Sequence, residues 1–260
     1  MEKIGFIGMG NMAQALCGGF IKSGKIEKSS IYAYAPNQKK LNENAKKFGF
    51  IPCESLKEVV RNSKTIIMAC KPYQIEGVLA EIKGELNEKS LLSIALGWNF
   101  EKYSKFLDKS TRIQFIMPNT PAMVGEGVFL FEKTNSLSED ERKDVMDLFA
   151  SLGVVEELSD NLMGIGGAIT GCGPAFVDLL IEAYSDAAVK YGIPRAMAYK
   201  LVSQTVLGTA KLQLETGEHP GVLKDNVCSP AGSTIRGVTQ LEKCGLRTAC
   251  IQSIDAIMER

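Results

Sequence analysis

The sequence has very little of the chemistry on which metal sites, disulfides and nucleophilic triads depend. Its only histidine is His219, followed by Pro220 and Gly221 in a predicted loop, where we expect a surface or local hydrogen-bonding role. The seven cysteines are scattered, odd in number and never spaced Cys-x-x-Cys, which favours reduced thiols over disulfides or a zinc site. The sequence therefore predicts no metal site.

An excess of charge of one sign is also missing, because thirty Lys and Arg residues balance thirty Asp and Glu residues. Since the chain has neither a basic block nor aromatic residues interleaved with basic ones, we expect no nucleic-acid partner. We find no apolar run that looks long enough to span a bilayer, and the chain opens on a strand pattern rather than a leader. We expect a cytoplasmic protein with no membrane contact.

Strand-like and helical patterns alternate through the first part of the chain. Strand-like runs occupy residues 4–7, 30–34, 65–69, 91–95, 112–116, 128–131 and 154–157, and helical periodicity occupies residues 13–22, 38–48, 56–62, 75–82 and 138–152. Alternation of this kind predicts an α/β fold, a Rossmann-type domain whose mostly parallel sheet is covered on both faces.

The pattern becomes purely helical after about residue 160. Predicted helices occupy residues 173–191, 195–215, 235–243 and 246–258. Several of them carry little charge on any face, and a helical domain of roughly 100 residues does not bury that much apolar surface alone. We therefore expect residues 1–160 to form the Rossmann domain and residues 161–260 an all-α dimerisation domain; the alternative is that the first domain covers these faces.

A glycine-rich turn follows the first predicted strand at once and leads into a helix. It reads Gly8-Met9-Gly10-Asn11-Met12-Ala13, the pattern G-x-G-x-x-A. In this pattern Gly8 allows a tight turn, Gly10 lets the backbone approach a pyrophosphate, and Ala13 lets helix and strand pack closely. The position between strand and helix makes the pattern specific, so we predict that residues 8–12 bind a dinucleotide.

The end of the second predicted strand indicates which dinucleotide is used. Where a protein binds the ribose 2′-hydroxyl of a dinucleotide, this strand ends with Asp or Glu. Here the sequence continues instead as Ala35-Pro36-Asn37-Gln38-Lys39-Lys40. No carboxylate there repels a 2′-phosphate, and Asn37 and the two lysines could bind one. The sequence therefore favours NADPH, with NADH as the alternative.

Three further segments follow the ends of predicted parallel strands, where a cofactor lies across the sheet. They are Ala69-Cys70-Lys71-Pro72, the stretch from Ala95 to Gly97, and the stretch Met117-Pro118-Asn119-Thr120-Pro121. We expect the first near the cofactor ribose and the other two near the nicotinamide.

The stretch from Cys228 to Ile235 is small, rich in hydroxyl groups and free of charge. Ser-Pro interrupts regular structure, and Gly232-Ser233-Thr234 then leads into an amphipathic helical run. A helix that begins in this way exposes free backbone N–H groups at the positive end of its dipole. Such a site suits a small carboxylate.

Six stretches together resemble the pyrroline-5-carboxylate reductase family over nearly the whole chain. They are Phe6 to Ala13, Ala69 to Pro72, Met117 to Pro121, Thr170-Gly171-Cys172-Gly173-Pro174-Ala175-Phe176, His219-Pro220-Gly221, and Lys224 to Ile235. The resemblance implies reduction of 1-pyrroline-5-carboxylate to L-proline, the last step of proline biosynthesis. It also implies an active site at a dimer interface, and dimers that often assemble into decamers.

The resemblance implies a role for particular residues. Asn226, Gly232, Ser233 and Thr234 match the substrate site, with backbone N–H groups around 232–234 on the carboxylate and the Thr234 hydroxyl on the ring nitrogen. Three positions differ from the family pattern. Cys172 replaces a usual Ser, Ala231 a usual Gly, and Ala35 a small hydroxyl or polar residue.

Three alternatives stay open from the sequence. A redox sensor could bind NADP(H) without turnover, and a reductase could prefer a related imine such as a six-membered piperideine carboxylate. A β-hydroxyacid dehydrogenase would share the glycine-rich start but needs a lysine in its first long second-domain helix. The helix predicted at 173–191 has only Lys190, at its far end, so this third alternative is disfavoured.

Overall fold

The computed structural model describes residues 3–259, and an eight-stranded sheet organises the N-terminal part. The strands are β1 Ile4–Ile7, β2 Ile31–Tyr34, β3 Ile51–Pro52, β4 Thr65–Met68, β5 Ser90–Ser93, β6 Arg112–Pro118, β7 Gly127–Glu132 and β8 Gly153–Leu158. Their spatial order is β3-β2-β1-β4-β5-β6-β7-β8, and the β6–β7 pair alone is antiparallel among the described strands. The predicted Rossmann-type, mostly parallel sheet is confirmed.

Six helices belong to the same part of the chain. They are α1 Asn11–Lys22, α2 Gln38–Phe48, α3 Leu56–Asn62, α4 Ile75–Ile82, α5 Phe100–Ser104 and α6 Glu139–Ala150. Two apolar cores lie on the sheet, one centred on α1 and α6 and the other on α3 and α4. A capping box closes the start of α6, since Ser138 and Glu141 each bond to the other's backbone N–H.

The remaining helices are α7 Met163–Gly167, α8 Gly173–Lys190, α9 Arg195–Thr216, α10 Pro220–Asn226, α11 Ser233–Lys243 and α12 Leu246–Met258, with a π-helical turn at Ala168–Cys172. The chain divides into two compact units, Met1–Gly171 and Cys172–Arg260. Among the described residues of the second unit, only Ser185 and Ala198 are buried. This helical unit therefore leaves most of its apolar side chains without a cover of its own.

The expectation that no apolar run could span a bilayer needs correction. Among the described residues, the segment Asp160–Lys190 is long and apolar enough to cross a membrane, judged by length and composition alone. The length of this apolar segment is not evident in the sequence because acidic residues interrupt it. Asp178, Glu182 and Asp186 lie four residues apart, so they share one face of the helix. Charged residues in a lipid-facing helix are costly, so this face favours water or a polar partner.

The interpretation of the His219 region as a loop is also wrong in part. Pro220 and Gly221 form the first turn of α10, because proline is tolerated at the first helical position. His219 is the residue before that helix, and its Nδ1 accepts a hydrogen bond from the Gly221 N–H at 3.0 Å. Its expected local hydrogen-bonding role is confirmed.

A buried carboxyl group on β7 gives the fold a specific pH dependence. Glu132 is 1% exposed, and its Oε2 accepts a hydrogen bond from the Phe100 N–H at 2.9 Å, at the start of α5. Burial raises the pKa of the Glu132 carboxyl above its ordinary value of 4.5, although the bond from Phe100 opposes the shift. The folded state therefore binds this proton more tightly than the unfolded chain.

We predict that the free energy of unfolding falls as pH rises from about 4.5 through the raised pKa of Glu132. Glu132→Gln keeps an acceptor for Phe100 but does not ionise, so it should remove this decline. Urea unfolding across that pH window measures the effect, with the exposed Glu126→Gln as the matched control. Parallel curves for the wild type and Glu132→Gln would contradict the prediction.

Candidate active site

The turn between β1 and α1 brings two segments of backbone unusually close together. Gly8 has a φ of 98°, and a Cβ atom on it would lie 2.7 Å from the Ala69 carbonyl carbon and the Cys70 nitrogen. The Gly8 N–H also donates to the carbonyl oxygen of Tyr34 at 2.8 Å. Glycine is required here both for the backbone conformation and for the close approach.

Gly10, two residues later, meets a different environment. It is the N-cap of α1 in an extended conformation, and a Cβ atom there would meet nothing within 4 Å. No side chain caps α1, and no acidic residue lies in its first turn. The free N–H groups at this helix end face open space, which fits the pyrophosphate of a dinucleotide.

The other residues of the turn differ in what they can offer a cofactor. The Met9 side chain is buried in the core, so only its backbone is available, and its carbonyl accepts a hydrogen bond from Gln14 Nε2 at 3.1 Å. Asn11 is exposed and Met12 half-buried. Because Gln14 holds the turn from within α1, it is a supporting residue that the sequence pattern did not single out.

The turn between β2 and α2 presents no carboxylate. Ala35 is half-buried, and Asn37 caps α2 through Oδ1, which accepts from the Lys40 N–H at 3.0 Å. Gln38 Nε2 donates to the carbonyls of Ala35 and Cys53, at 3.0 and 3.3 Å, and so fixes the turn. The exposed cationic side chain of Lys40 and the amide nitrogen of Asn37 thus lie at the N-terminal end of α2.

The segment after β4 is half-buried at Ala69 and Cys70 and exposed at Lys71 and Pro72. Burial raises the pKa of the Cys70 thiol to about 11, so this thiol stays protonated at neutral pH. The Lys71 N–H donates to Gln74 Oε1 at 3.1 Å, which holds the chain as it leaves the sheet. The exposed part of this segment is therefore the Lys71-Pro72 pair.

The two predicted nicotinamide-side residues are both buried. Ala95 is 4% exposed, and Asn119 is 6% exposed with both Nδ2 and Oδ1 hydrogen-bonded. Asn119 Nδ2 donates to the Thr170 carbonyl at 3.1 Å, and its Oδ1 accepts from the Val128 N–H at 2.8 Å. The side chain of Asn119 thus connects the end of β6 to the π-helical turn, and a contact with a cofactor would fall to its backbone.

In the helical unit, α11 begins at Ser233 with Gly232 as its N-cap, and no side chain caps it. The Gly232 N–H already donates to the Ser229 carbonyl at 3.0 Å. The N–H groups of Ser233 and Thr234, in the first turn, are left for an anion. Both side chains are exposed, so their hydroxyl groups are accessible beside these N–H groups.

The turn before α11 holds an unusual residue. Ala231 has a φ of 59°, in the left-handed region that costs a non-glycine residue about 1–2 kcal/mol. Gly232 cannot carry a side chain without a shift, since a Cβ atom would lie 2.4 Å from Ser229 Oγ. The family pattern that the chain resembles has glycine at positions 231 and 232. The left-handed φ of Ala231 explains the preference for glycine at position 231.

The rest of this region contains few groups for acid–base chemistry. Asn226 is the exposed last residue of α10, and the neighbouring carboxylate of Asp225 forms an ion pair with Lys224. Cys172, half-buried, is the residue before α8. Across residues 3–259, no group of three or more His, Cys, Asp and Glu side chains is arranged to hold a metal ion.

Trp98, the only tryptophan of the chain, is a further residue of this region that the sequence pattern did not single out. It is 2% exposed, and its Nε1–H donates to the Pro72 carbonyl at 3.1 Å. Its position directly after the predicted rim stretch from Ala95 to Gly97 was the available signal. That position alone does not predict the hydrogen bond to Pro72, which only the structure shows.

Comparison with known proteins covers both parts of the chain. Residues 160–260 match the family model for pyrroline-5-carboxylate reductase dimerisation, and residues 3–97 match the model for NADP oxidoreductase, coenzyme F420-dependent. The pyrroline-5-carboxylate reductase of Escherichia coli is 41% identical over 260 residues, which cover all of this chain and 97% of that protein.

Solved structures agree with these matches. The Plasmodium falciparum pyrroline carboxylate reductase with NADP bound has a TM-score of 0.90 and 34% identity, covering 99% of this chain and 96% of that one. The Coxiella burnetii pyrroline-5-carboxylate reductase has a TM-score of 0.91 and 30% identity, covering 100% and 97%. The predicted resemblance is confirmed, and with it the class of NADP-dependent oxidoreductases: the chain belongs to the pyrroline-5-carboxylate reductase family.

Proposed function

We propose that this protein reduces 1-pyrroline-5-carboxylate to L-proline by hydride transfer from NAD(P)H, as the last step of proline biosynthesis. The observation that carries the proposal is the uncapped N-terminus of α11, in a chain 41% identical to a reductase of that name. This helix end suits the single carboxylate of the substrate. The uncapped N-terminus of α1 suits the cofactor pyrophosphate in the same way.

The residues of the helical unit then have distinct roles. The N–H groups of Ser233 and Thr234 hold the substrate carboxylate, Gly232 shapes the turn, and Asn226 lines the site. The Thr234 hydroxyl bonds to the ring nitrogen and orients the C=N bond for attack at C5. Most of the rate acceleration comes from this positioning.

The reaction needs little help from a protein acid. A cyclic imine nitrogen is basic enough to arrive protonated or to take its proton from water, and Thr234 is not a strong acid. This agrees with a helix end where the nearest carboxylate in sequence, Asp225, is already paired with Lys224. Bound NADPH supplies the hydride at nicotinamide C4.

The remaining predicted cofactor contacts follow from the parallel-sheet geometry. Residues 8–12 hold the pyrophosphate, the segment from Ala69 to Pro72 lies at the ribose, and Ala95 and Asn119 lie toward the nicotinamide. NADPH is preferred over NADH because the first turn of α2 has no acidic residue and Lys40 is exposed there. Ala35 and Asn37 complete the 2′-phosphate contacts.

A redox sensor that binds NADP(H) and a reductase of piperideine carboxylate are the two competing functions. An assay of NADPH and NADH oxidation with both the five-membered and the six-membered imine carboxylate separates them. We expect the highest kcat/KM with NADPH and pyrroline-5-carboxylate. Cofactor binding without turnover of either imine would favour the sensor. Faster turnover of piperideine carboxylate would identify that six-membered imine as the preferred substrate.

Residues 1–160 act as the cofactor domain and residues 161–260 as the dimerisation and substrate domain. We place the protein in the cytoplasm, without nucleic-acid or membrane partners. This agrees with the balanced charge of the chain and with the acidic face of the segment 160–190.

The first prediction concerns Thr234. Thr234→Ala removes the hydroxyl group that orients the imine, so kcat should fall by about 10–100-fold, the order of one hydrogen bond to the reacting group. Thr234→Ser keeps the hydroxyl and should restore most of the rate. The matched control is Thr239→Ala on the same helix, whose hydroxyl bonds only to the Arg236 carbonyl. An unchanged kcat for Thr234→Ala would contradict the proposed role of its hydroxyl group.

The second prediction concerns Gly10. In Gly10→Ala the new methyl group meets no protein atom within 4 Å but enters the space assigned to the pyrophosphate. The free energy of unfolding should change by no more than about 1 kcal/mol, while the Kd for NADPH rises at least about tenfold, as one lost anion contact predicts. Titration calorimetry measures this, with Gly77→Ala, equally open, as control. Equal affinity in both variants would place the pyrophosphate elsewhere.

The third prediction concerns assembly. The helical unit has only two buried residues among those described, so we expect at least a homodimer, with a decamer as the larger assembly. Light scattering of the purified protein measures the mass directly. A monomer of 28.3 kDa that retains full activity would contradict the prediction.

A further inference from the structure

We propose that Trp98 is a positioning residue that sets the affinity for NADPH by tying two cofactor loops together. The inference rests on the proposed function, because it assigns both loops to the cofactor. Trp98 touches neither the reacting atoms nor the glycine-rich turn in this assignment. It acts through the backbone of Pro72.

One residue joins the two loops through its backbone and its side chain. The Trp98 N–H donates to the Ala95 carbonyl at 3.1 Å and closes the turn after β5. The indole Nε1–H donates to the Pro72 carbonyl at 3.1 Å, on the loop after β4. Indole has no second donor, so this is the only hydrogen bond that the side chain can donate.

The indole ring is held firmly enough to serve as a fixed point. Its centroid lies 4.9 Å from that of Tyr103 and 5.4 Å from that of Phe106. Lys102 Nζ lies 4.2 Å from the ring centroid, in cation–π contact. Lys102 and Tyr103 belong to α5, Phe106 follows it, and the helix is fixed at its start by Glu132, which accepts from the Phe100 N–H.

The loop that Trp98 holds leads directly to the glycine-rich turn. Gly8 packs against the backbone of Ala69 and Cys70, so the position of that backbone sets the shape of the turn. Pro72 lies two residues further along and is exposed, and its carbonyl oxygen accepts from both the Trp98 indole and the Ile75 N–H. A bond from a buried, rigid ring therefore fixes the exposed end of a segment whose other end is clamped by Gly8.

The sequence makes an isosteric test available. Trp98 is the only tryptophan, so growth with benzothienylalanine replaces one position and exchanges the indole N–H for sulfur at almost unchanged shape. Trp98→Phe is the genetic counterpart. Direct titration of NADPH into the purified protein should show a Kd about fivefold higher for both, the order of one neutral hydrogen bond. The kcat at saturating NADPH should be unchanged.

The controls separate positioning from packing. Phe106→Leu removes a ring contact of Trp98 but keeps the Nε1–H bond, so its NADPH Kd should match the wild type. An unchanged Kd in the benzothienylalanine protein overturns the inference, as does an equal rise in Phe106→Leu. If the wild type fails to bind NADPH at all, the proposed function fails, and this result is distinct from wild-type binding with no effect of Trp98.

Discussion

The close approach of Gly8 to the backbone of Ala69 and Cys70 is the constraint on which the cofactor half of this protein depends. Where β1 ends, the chain must turn left-handed and pass within contact distance of the end of β4. That passage is possible only without a side chain, and α1 begins three residues later at Asn11. The open space at Gly10 is a consequence of the same turn. A helix dipole and unpaired N–H groups are then available for a phosphate without any charged side chain.

In the proposed function, the helical unit uses the same physical device for a different anion. At the start of α11, a left-handed residue, Ala231, and a crowded glycine, Gly232, turn the chain so that the helix begins without a cap. The backbone strain at Ala231 is a local cost that the turn requires. Because both binding sites use backbone N–H groups, the proposed chemistry needs few polar side chains. The single histidine of the chain agrees with this small need for polar side chains.

Much of the fold could be read from the sequence, because its helices have clear periodicity and caps. The bounds of α2, α3, α4 and α12 agree with the predicted ones, and Ser138 caps α6 as its pattern indicated. The two-residue strand β3 and the short helices α5, α7 and α10 were not predicted as separate elements, since so few residues show no period. The acidic residues of the segment 160–190 hid how apolar that segment is.

The candidate site was predictable only in part. The glycine-rich turn has a sequence pattern because sterics allow few residues there, and the start of α11 has one because Ser-Pro and glycine interrupt the preceding helix. Other features depend on contacts between residues distant in sequence, such as the bond from Trp98 to Pro72 or the two bonds that occupy the Asn119 amide. No pattern in the chain shows that the Gly232 N–H is already used by Ser229.

The most direct test of the central claim is a crystal structure with NADP⁺ and L-proline bound. The claim is that backbone N–H groups at the starts of α1 and α11 hold the two anionic groups of the reaction. It predicts the pyrophosphate on the N-terminus of α1 and the proline carboxylate within hydrogen-bonding distance of the Ser233 and Thr234 N–H groups, at about 2.7–3.2 Å. A carboxylate held instead by lysine or arginine side chains away from α11 would contradict it.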